Sequence, residues 1–270
     1  MRKVTAAAPQ SGVMVSGLRK TFFAGTVQEK RALDGVCFSL VPGEFAIVIG
    51  SNGAGKSTML NAISGEVQVD EGTISIAGKA IEQWPTHKRA GYISRVFQDP
   101  MQGTAASLTI EENLAISARR GKRRSFRAGL HATEREEFRS ALEPLGLGLE
   151  NRLKDRVSLL SGGQRQSLTL IMATLQAPQL LLLDEHTAAL DPRAADMVIR
   201  STLSAVEDRQ ITTLMITHNM EQAIAHGDRL LMMHEGRIVL DLAKDEKARL
   251  TTADLVDRFH DVVSDRMLLS

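Results

Sequence analysis

An α/β fold with a mixed sheet is predicted for this chain by three observations. The apolar run Phe45-Ala46-Ile47-Val48-Ile49 passes through a glycine-rich loop into a helix-like segment. The run Leu180-Leu181-Leu182-Leu183 ends in two carboxylates, Asp184 and Glu185, and an apolar run without alternation is what burial of a parallel strand on both faces demands. Residues 13–41 alternate instead, with Val36, Phe38 and Leu40 set against Cys37 and Ser39, the period of antiparallel strands covered on one face. Residues 13–242 read as one domain with a helical insert at about 99–160, and residues 243–270 as a helical tail. At 270 residues the chain can bury a substantial core.

The elements follow in order. Residues 1–12 are expected to be loose. Gly72 to Ile81 reads as a small hairpin around Ala77-Gly78, and Tyr92 to Gln98 as a strand returning to the sheet. Between Gln98 and Ser161 the period turns helical: Thr109 with Glu112 and Thr133 with Glu136 have capping-box spacing, and Phe138, Leu142 and Leu145 form an apolar stripe. A helix then runs from the pentapeptide Leu160-Ser161-Gly162-Gly163-Gln164 to a stop before Pro178. Thr213 to Thr217 is an apolar strand, and Arg229 to His234 pairs with Arg237 to Leu242 through Glu235-Gly236. Thr251 to Asp254 caps a last helix whose apolar side carries Leu255 and Phe259.

Gly50-Ser51-Asn52-Gly53-Ala54-Gly55-Lys56-Ser57-Thr58 fits the G-x-x-x-x-G-K-[ST] pattern between strand and helix, the context in which that pattern has physical meaning. Its glycines let successive N–H groups turn inward toward phosphate oxygens, and the helix opening at Lys56 adds its positive end. Lys56 then reaches the β- and γ-phosphates as a point charge, the Ser57 hydroxyl ligates Mg²⁺, and Thr58 touches a phosphate oxygen. At the end of the acidic strand, Asp184 is suited to hold Mg²⁺ through water, and Glu185 to orient or deprotonate an attacking water.

With these motifs in this order, residues 15 to 242 resemble the nucleotide-binding subunit of an ATP-binding cassette (ABC) transporter. Leu160 to Gln164 matches that family's signature LSGGQ without a substitution. The resemblance implies a P-loop NTPase core with a mixed sheet, an N-terminal antiparallel β-subdomain and an inserted helical subdomain, binding ATP and Mg²⁺. By position it also implies that Gln98 senses Mg²⁺ or water at the γ-phosphate and that His218 is the switch histidine. Asp191 would touch the opposing protomer, and Phe22 would stack on adenine with Phe23 as its close competitor. Ser51, Asn52, Gly53, Ala54 and Gly55 would line the phosphates of one copy, and Ser161, Gly162, Gly163 and Gln164 would cover the γ-phosphate held by a second copy. Glu185, His218, Gln98 and Lys56 are the expected catalytic group. Ser57, Gln98 and Asp184 are the expected metal group.

One departure stands beside the presumed base. Most relatives read Asp-Glu-Pro-Thr where this chain reads Asp184-Glu185-His186-Thr187. His186 is either an inert replacement for proline or a protonated imidazole that lowers the basicity of Glu185.

The resemblance implies an ATP-hydrolysing subunit that energises a membrane transporter by ATP-driven dimer closure, and a bare cassette points to an importer, with separate permease subunits and an extracytoplasmic substrate-binding protein. The Asp-Glu-His-Thr variant with the arginine-rich insert resembles a bacterial branch associated with uptake of aromatic amino acids. The alternatives are an export or lipoprotein-release complex and a soluble cassette acting on DNA or ribosomes. Net charge is +1 from 33 basic and 32 acidic residues, which gives no footprint for nucleic acid.

Cys37 is the single cysteine, so an internal disulfide and a cysteine-rich zinc site are excluded, and a reducing cytoplasm fits best. The start Met1 to Pro9 lacks the apolar core of a secretory signal. The charge-free stretch Gln166 to Leu183 is broken by Gln176, Pro178 and Gln179, so attachment to the cytoplasmic face of the membrane is expected through partners. Arg119-Arg120-Gly121-Lys122-Arg123-Arg124 with Arg127 is read first as a solvated face, second as a site for anionic lipid headgroups and third for nucleic acid. His87, His131, His226, His234 and His260 show no metal-ligand spacing and are read as structural, and Trp84 as packing.

Overall fold

The computed structural model describes residues 12–122 and 130–258. Arg123, Arg124 and Arg127 of the basic cluster, with Phe259 and His260 of the tail, lie outside the described residues. In chain order the elements are β1 (Val13–Phe22), β2 (Lys30–Leu40), β3 (Phe45–Gly50), α1 (Lys56–Ser64), β4 (Glu71–Ile76), β5 (Lys79–Ala80), α2 (Thr86–Arg89), β6 (Ile93–Val96), α3 (Ile110–Ala118), α4 (Ala132–Leu142), α5 (Gly162–Thr174), β7 (Leu180–Asp184), α6 (Pro192–Arg209), β8 (Thr213–Ile216), α7 (Met220–Ala225), β9 (Arg229–His234), β10 (Arg237–Ala243) and α8 (Lys244–Lys247). They divide into two compact units, Met1–Thr86 with Thr212–Ser270, and His87–Ile211.

In the first unit, β1 pairs antiparallel with both β2 and β4, and β4 with β5. Val36, Phe38 and Leu40 are buried and Cys37 is exposed, so the alternation read from the sequence sets the face. The hairpin turn is made by Ala77 and Gly78, both at positive φ, which suits the twist of a tight β-hairpin. β3 lies between β8 and β9, parallel to each, and β10 closes on β9 antiparallel through Glu235 and Gly236. The sheet is therefore mixed, and its central strand is the apolar one: Ala46, Ile47 and Val48 are each 0% exposed. Burial on both faces leaves no position for a polar side chain there.

In the second unit, β6 and β7 run parallel, with Leu180 to Leu183 all buried. The helices around them share a core built from Ile110 and Leu114 of α3, Phe138 and Leu142 of α4, and Leu168 and Ile171 of α5. Burying Phe138 contributes about 2 to 3 kcal/mol by removal of apolar surface from water. An ion pair from Arg135 Nε to Glu111 Oε2 (2.7 Å) ties α4 to α3.

Thr109 caps α3 as its spacing predicts: its hydroxyl accepts from Glu112 N, and Glu112 accepts from Thr109 N. The second cap differs from the prediction. Thr133 lies inside α4, and the backbone N–H at its start, from His131, donates to Glu134 (3.0 Å). Two overlapping x-x-Glu spacings compete in this stretch, and the earlier one wins because it starts the helix before Thr133. Leu145 is buried with the stripe but sits in a 3-10 turn after α4.

Near the end of the described chain, Thr251 accepts from Asp254 N, Asp254 accepts from Thr251 N, and Leu255 is buried. Among the described residues no helix is long and apolar enough to cross a membrane.

Candidate nucleotide site

The predicted site residues fall into two groups, one carried by each unit. In the first unit the loop after β3 is shaped by its backbone. Gly50 (φ 151°) and Gly55 (φ 101°) hold conformations that side chains strain, and a Cβ on either would overlap a carbonyl oxygen, that of Met233 for Gly50 and of Ala32 for Gly55. Between them Ala54 is buried, while Ser51, Asn52 and Gly53 face solvent. Gly55 starts α1 without a side-chain cap, so the first N–H groups of that helix have no intrahelical acceptor, which suits an anion.

Lys56 is buried and its ammonium donates back into the loop, to Gly50 O (2.7 Å) and Ser51 O (3.1 Å). Ser57 is exposed and Thr58 half-buried. His218, also exposed, follows β8 at the same sheet end: the pairing of Val48 with Ile216 puts Gly50 and His218 each two residues further along parallel strands. Phe22 is half-buried beneath Lys20, whose ammonium sits 5.6 Å from the ring centroid, and Phe23 beside it is 65% exposed.

A buttress behind this loop went unnoticed in the sequence. Gly236 N donates to Ala54 O (2.9 Å), and Asp34 N donates to Gly236 O (2.9 Å). Asp34, only 7% exposed, takes Arg237 Nε at 2.7 Å, with Arg19 at 3.2 Å and Arg31 at 3.7 Å. The Arg237 hydrogen bond is the main cause that holds the Asp34 carboxyl below its ordinary pKa. The available signal was an acid inside the alternation of β2, between Leu33 and Val36.

In the second unit, Gln98 and Asp184 line one cavity of about 360 Å³ together with Arg95, Phe97, Asp99 and Gln102. β6 ends two residues before Gln98, and its exit is pinned by buried Gln166, which donates to Phe97 O (3.1 Å). β7 stops at Asp184, one residue earlier than predicted. Glu185 takes a left-handed backbone (φ 46°) and opens a turn closed by Ala188 N to Glu185 O (2.9 Å). A non-glycine residue in that region carries strain that persists only where its surroundings impose it.

The protonated reading of His186 is overturned. The ring is buried, and desolvation pushes its pKa down to about 4, so at neutral pH the imidazole is uncharged. Its Nε2 lies 3.1 Å from Thr202 Oγ1. Because that hydroxyl donates to Val198 O (2.8 Å), it accepts from the imidazole, which fixes the proton on Nε2. His186 therefore ties the turn after β7 to α6.

The signature pentapeptide has a local reason for its polar residues. Ser161 is the N-cap of α5: its hydroxyl accepts from Gln164 N (3.3 Å), and the Gln164 side chain accepts from Ser161 N (3.1 Å). This is a capping box, visible as Ser-x-x-Gln. Ser161 and Gly162 are exposed and Gly163 is buried. Asp191 likewise caps α6, accepting from Ala194 N (3.1 Å), with Pro192 in the first turn.

These residues suit ATP and Mg²⁺ chemically. The loop already holds a lysine ammonium against its own carbonyls, at the start of a helix whose first N–H groups lack intrahelical acceptors. Among the described residues no group of three or more His, Cys, Asp or Glu side chains is placed to cage a metal. A hard cation here would complete its shell with phosphate and water, as Mg²⁺ does in phosphate-transfer sites.

The ABC transporter family model matches residues 33–188. The chain is 42% identical over 248 residues to a tyrosine transport ATP-binding protein of Clostridioides difficile, covering 92% of this chain and 98% of that protein. It is 33% identical over 231 residues to the phosphonates import ATP-binding protein PhnC of Treponema denticola, covering 84% and 88%. Among solved structures it resembles a dimeric ATP-binding cassette in a post-hydrolysis state with ADP and Pi (TM-score 0.73, 26% identity, 86% and 98% covered). A nucleotide-free cassette from an ABC transporter is similar to the same degree (TM-score 0.74, 26% identity, 88% and 93% covered). With a phosphate loop and a capped signature helix in one polypeptide, and relatives matched over nearly its whole length, this chain belongs to the ABC transporter family.

Proposed function

We propose that this chain is the ATP-hydrolysing subunit of an importer, working as a pair of identical copies on separate permease subunits at the cytoplasmic face of the membrane. The observation that carries the reading is the intact pairing of Gly50–Thr58 with Leu160–Gln164 in a single set. A site completed by the signature of another copy needs two chains and two ATP molecules. The relative named for tyrosine transport supports an amino acid as the imported substrate, delivered by an extracytoplasmic binding protein.

In this reading the loop N–H groups and Lys56 hold the β- and γ-phosphates, Lys56 exchanging its bonds to Gly50 O and Ser51 O for phosphate oxygens. An aromatic ring at Phe22 or Phe23 stacks on the base. Ser57, Asp184 and Gln98 would hold Mg²⁺, which when bound neutralises charge on the phosphate oxygens. Glu185 orients the attacking water and accepts its proton, and His218 hydrogen-bonds the γ-phosphate. Ser161, Gly162, Gly163 and Gln164 of the second copy close over it, with Asp191 at the contact between copies. Hydrolysis removes the γ-phosphate that joins the copies, and the pair reopens.

Gel filtration of Glu185→Gln with Mg-ATP tests this directly. The variant is expected to bind ATP and accumulate as a dimer, with turnover lowered by about 10²-fold or more. A variant saturated with ATP that elutes only as a monomer would sink the paired reading. Purification from membranes in detergent is expected to retain a polytopic protein, and identifying the ligand held by the associated receptor tests the substrate.

A further inference from the structure

Asp184 is not a bare carboxylate. Arg95 Nη2 lies 2.6 Å from Asp184 Oδ2, and the two side chains are only 10% and 13% exposed. The pairing follows from strand register: Arg95 stands opposite Leu182 on the parallel neighbour, so Asp184, two residues on, shares its face of the sheet. The guanidinium also sits 4.8 Å from the centroid of the Phe97 ring, which holds its plane in place. Both residues line the cavity that Gln98 lines.

From this geometry we infer that Arg95 is a positioning residue that competes with a divalent cation for the Asp184 carboxylate. The inference rests on the reading of Asp184 as a Mg²⁺ ligand. Arriving at Asp184, the ion meets a carboxylate whose charge is already balanced and a fixed positive group within a few ångströms, in a place where water screens poorly. Binding then requires the guanidinium to yield one oxygen or to share the carboxylate against repulsion. Arg95 thus sets a threshold for metal loading, and its stack on Phe97 gives it a resting place when it yields.

The sign of the effect separates this role from a merely structural one. If Arg95 only supported Asp184, removing it would leave the carboxylate without the group that holds it in place, and the cation would bind less well. If Arg95 competes, removing its charge tightens cation binding.

The experiment is a titration of the full chain with Mn²⁺, read by the electron paramagnetic resonance signal of the free ion, in the presence of a saturating non-hydrolysable ATP analogue. Arg95→Met, which keeps a stem on Phe97, and Arg95→Gln, which keeps an N–H donor without the charge, are both expected to lower the half-saturating Mn²⁺ concentration about tenfold or more. Arg95→Lys is expected to stay near the parent. Should Arg95→Met fail to fold, Arg95→Gln carries the test. Unchanged or weaker Mn²⁺ binding in the uncharged variants, while Asp184→Asn still weakens it, overturns the competition and leaves the metal reading standing. If Asp184→Asn binds Mn²⁺ as the parent does, Asp184 is no ligand and both readings fall.

Discussion

The glycine-rich loop and the acidic strand end, which we propose serve the same charged ligand, are built by opposite means. Around Gly50 and Gly55 the shape is set by main chain packed on main chain, with carbonyls of Met233 and Ala32 where a side chain would go. Around Asp184 and Glu185 it is set by side chains answering one another: Arg95 on Asp184, and His186 on Thr202 one residue beyond Glu185. A backbone-built cradle is ready before its ligand arrives, whereas a site built from paired side chains must rearrange its partners to admit one. Charge follows the same division. The loop holds one cation folded back on its own carbonyls, and the strand end holds an anion already neutralised.

Two substitutions probe the loop side of that contrast, and a third probes the capped start of α5. The largest effect is expected for Gly55→Ala, where a Cβ would strike the Ala32 carbonyl in a left-handed backbone; ATP affinity should fall about 10²-fold or more, read by calorimetric titration. Parent-like affinity would mean that the loop is adaptable and the contrast false.

Next is Asp34→Asn, which removes the acid behind the loop. Its three arginine partners are at least half exposed, so the cost at neutral pH is about 2 kcal/mol, below that of a fully buried pair. Because the folded-state pKa of Asp34 is lowered, its contribution is present above the ordinary carboxylate range and is lost as pH falls through the lowered value. Urea unfolding of parent and variant should therefore differ at pH 7 and converge on strong acidification.

The smallest effect is expected for Ser161→Ala, about 1 kcal/mol of stability without any nucleotide, from the lost cap of α5. A variant as stable as its parent would leave Ser161 with no structural share in the helix start.

Most of the fold was legible because burial and period coincide in it. The central strands β3 and β7 are unbroken apolar runs, and β2 alternates as a one-faced strand must. Motif residues were legible through spacing. The failures share a cause: they depend on which of two local bonds forms, or on contacts far apart in sequence. His131 rather than Thr133 opens α4 because two Glu spacings overlap. Nothing near His186 in the chain announces Thr202, and nothing near Asp34 announces Arg237, about two hundred positions away. Arg95 reads as one more polar residue in a short strand until the register sets it beside Asp184.

The burial of Gly163 has a consequence for helix packing. A methyl group added there would come within 2.9 Å of the Ala194 Cβ and near Met197, so α5 and α6 approach each other at a point where only hydrogen fits. The signature's second glycine is thus also a spacer between two helices, one capped by Ser161 and the other by Asp191. Any larger residue at that position pries apart the starts of both helices at once, so a damaged signature and a displaced Asp191 arrive as one lesion.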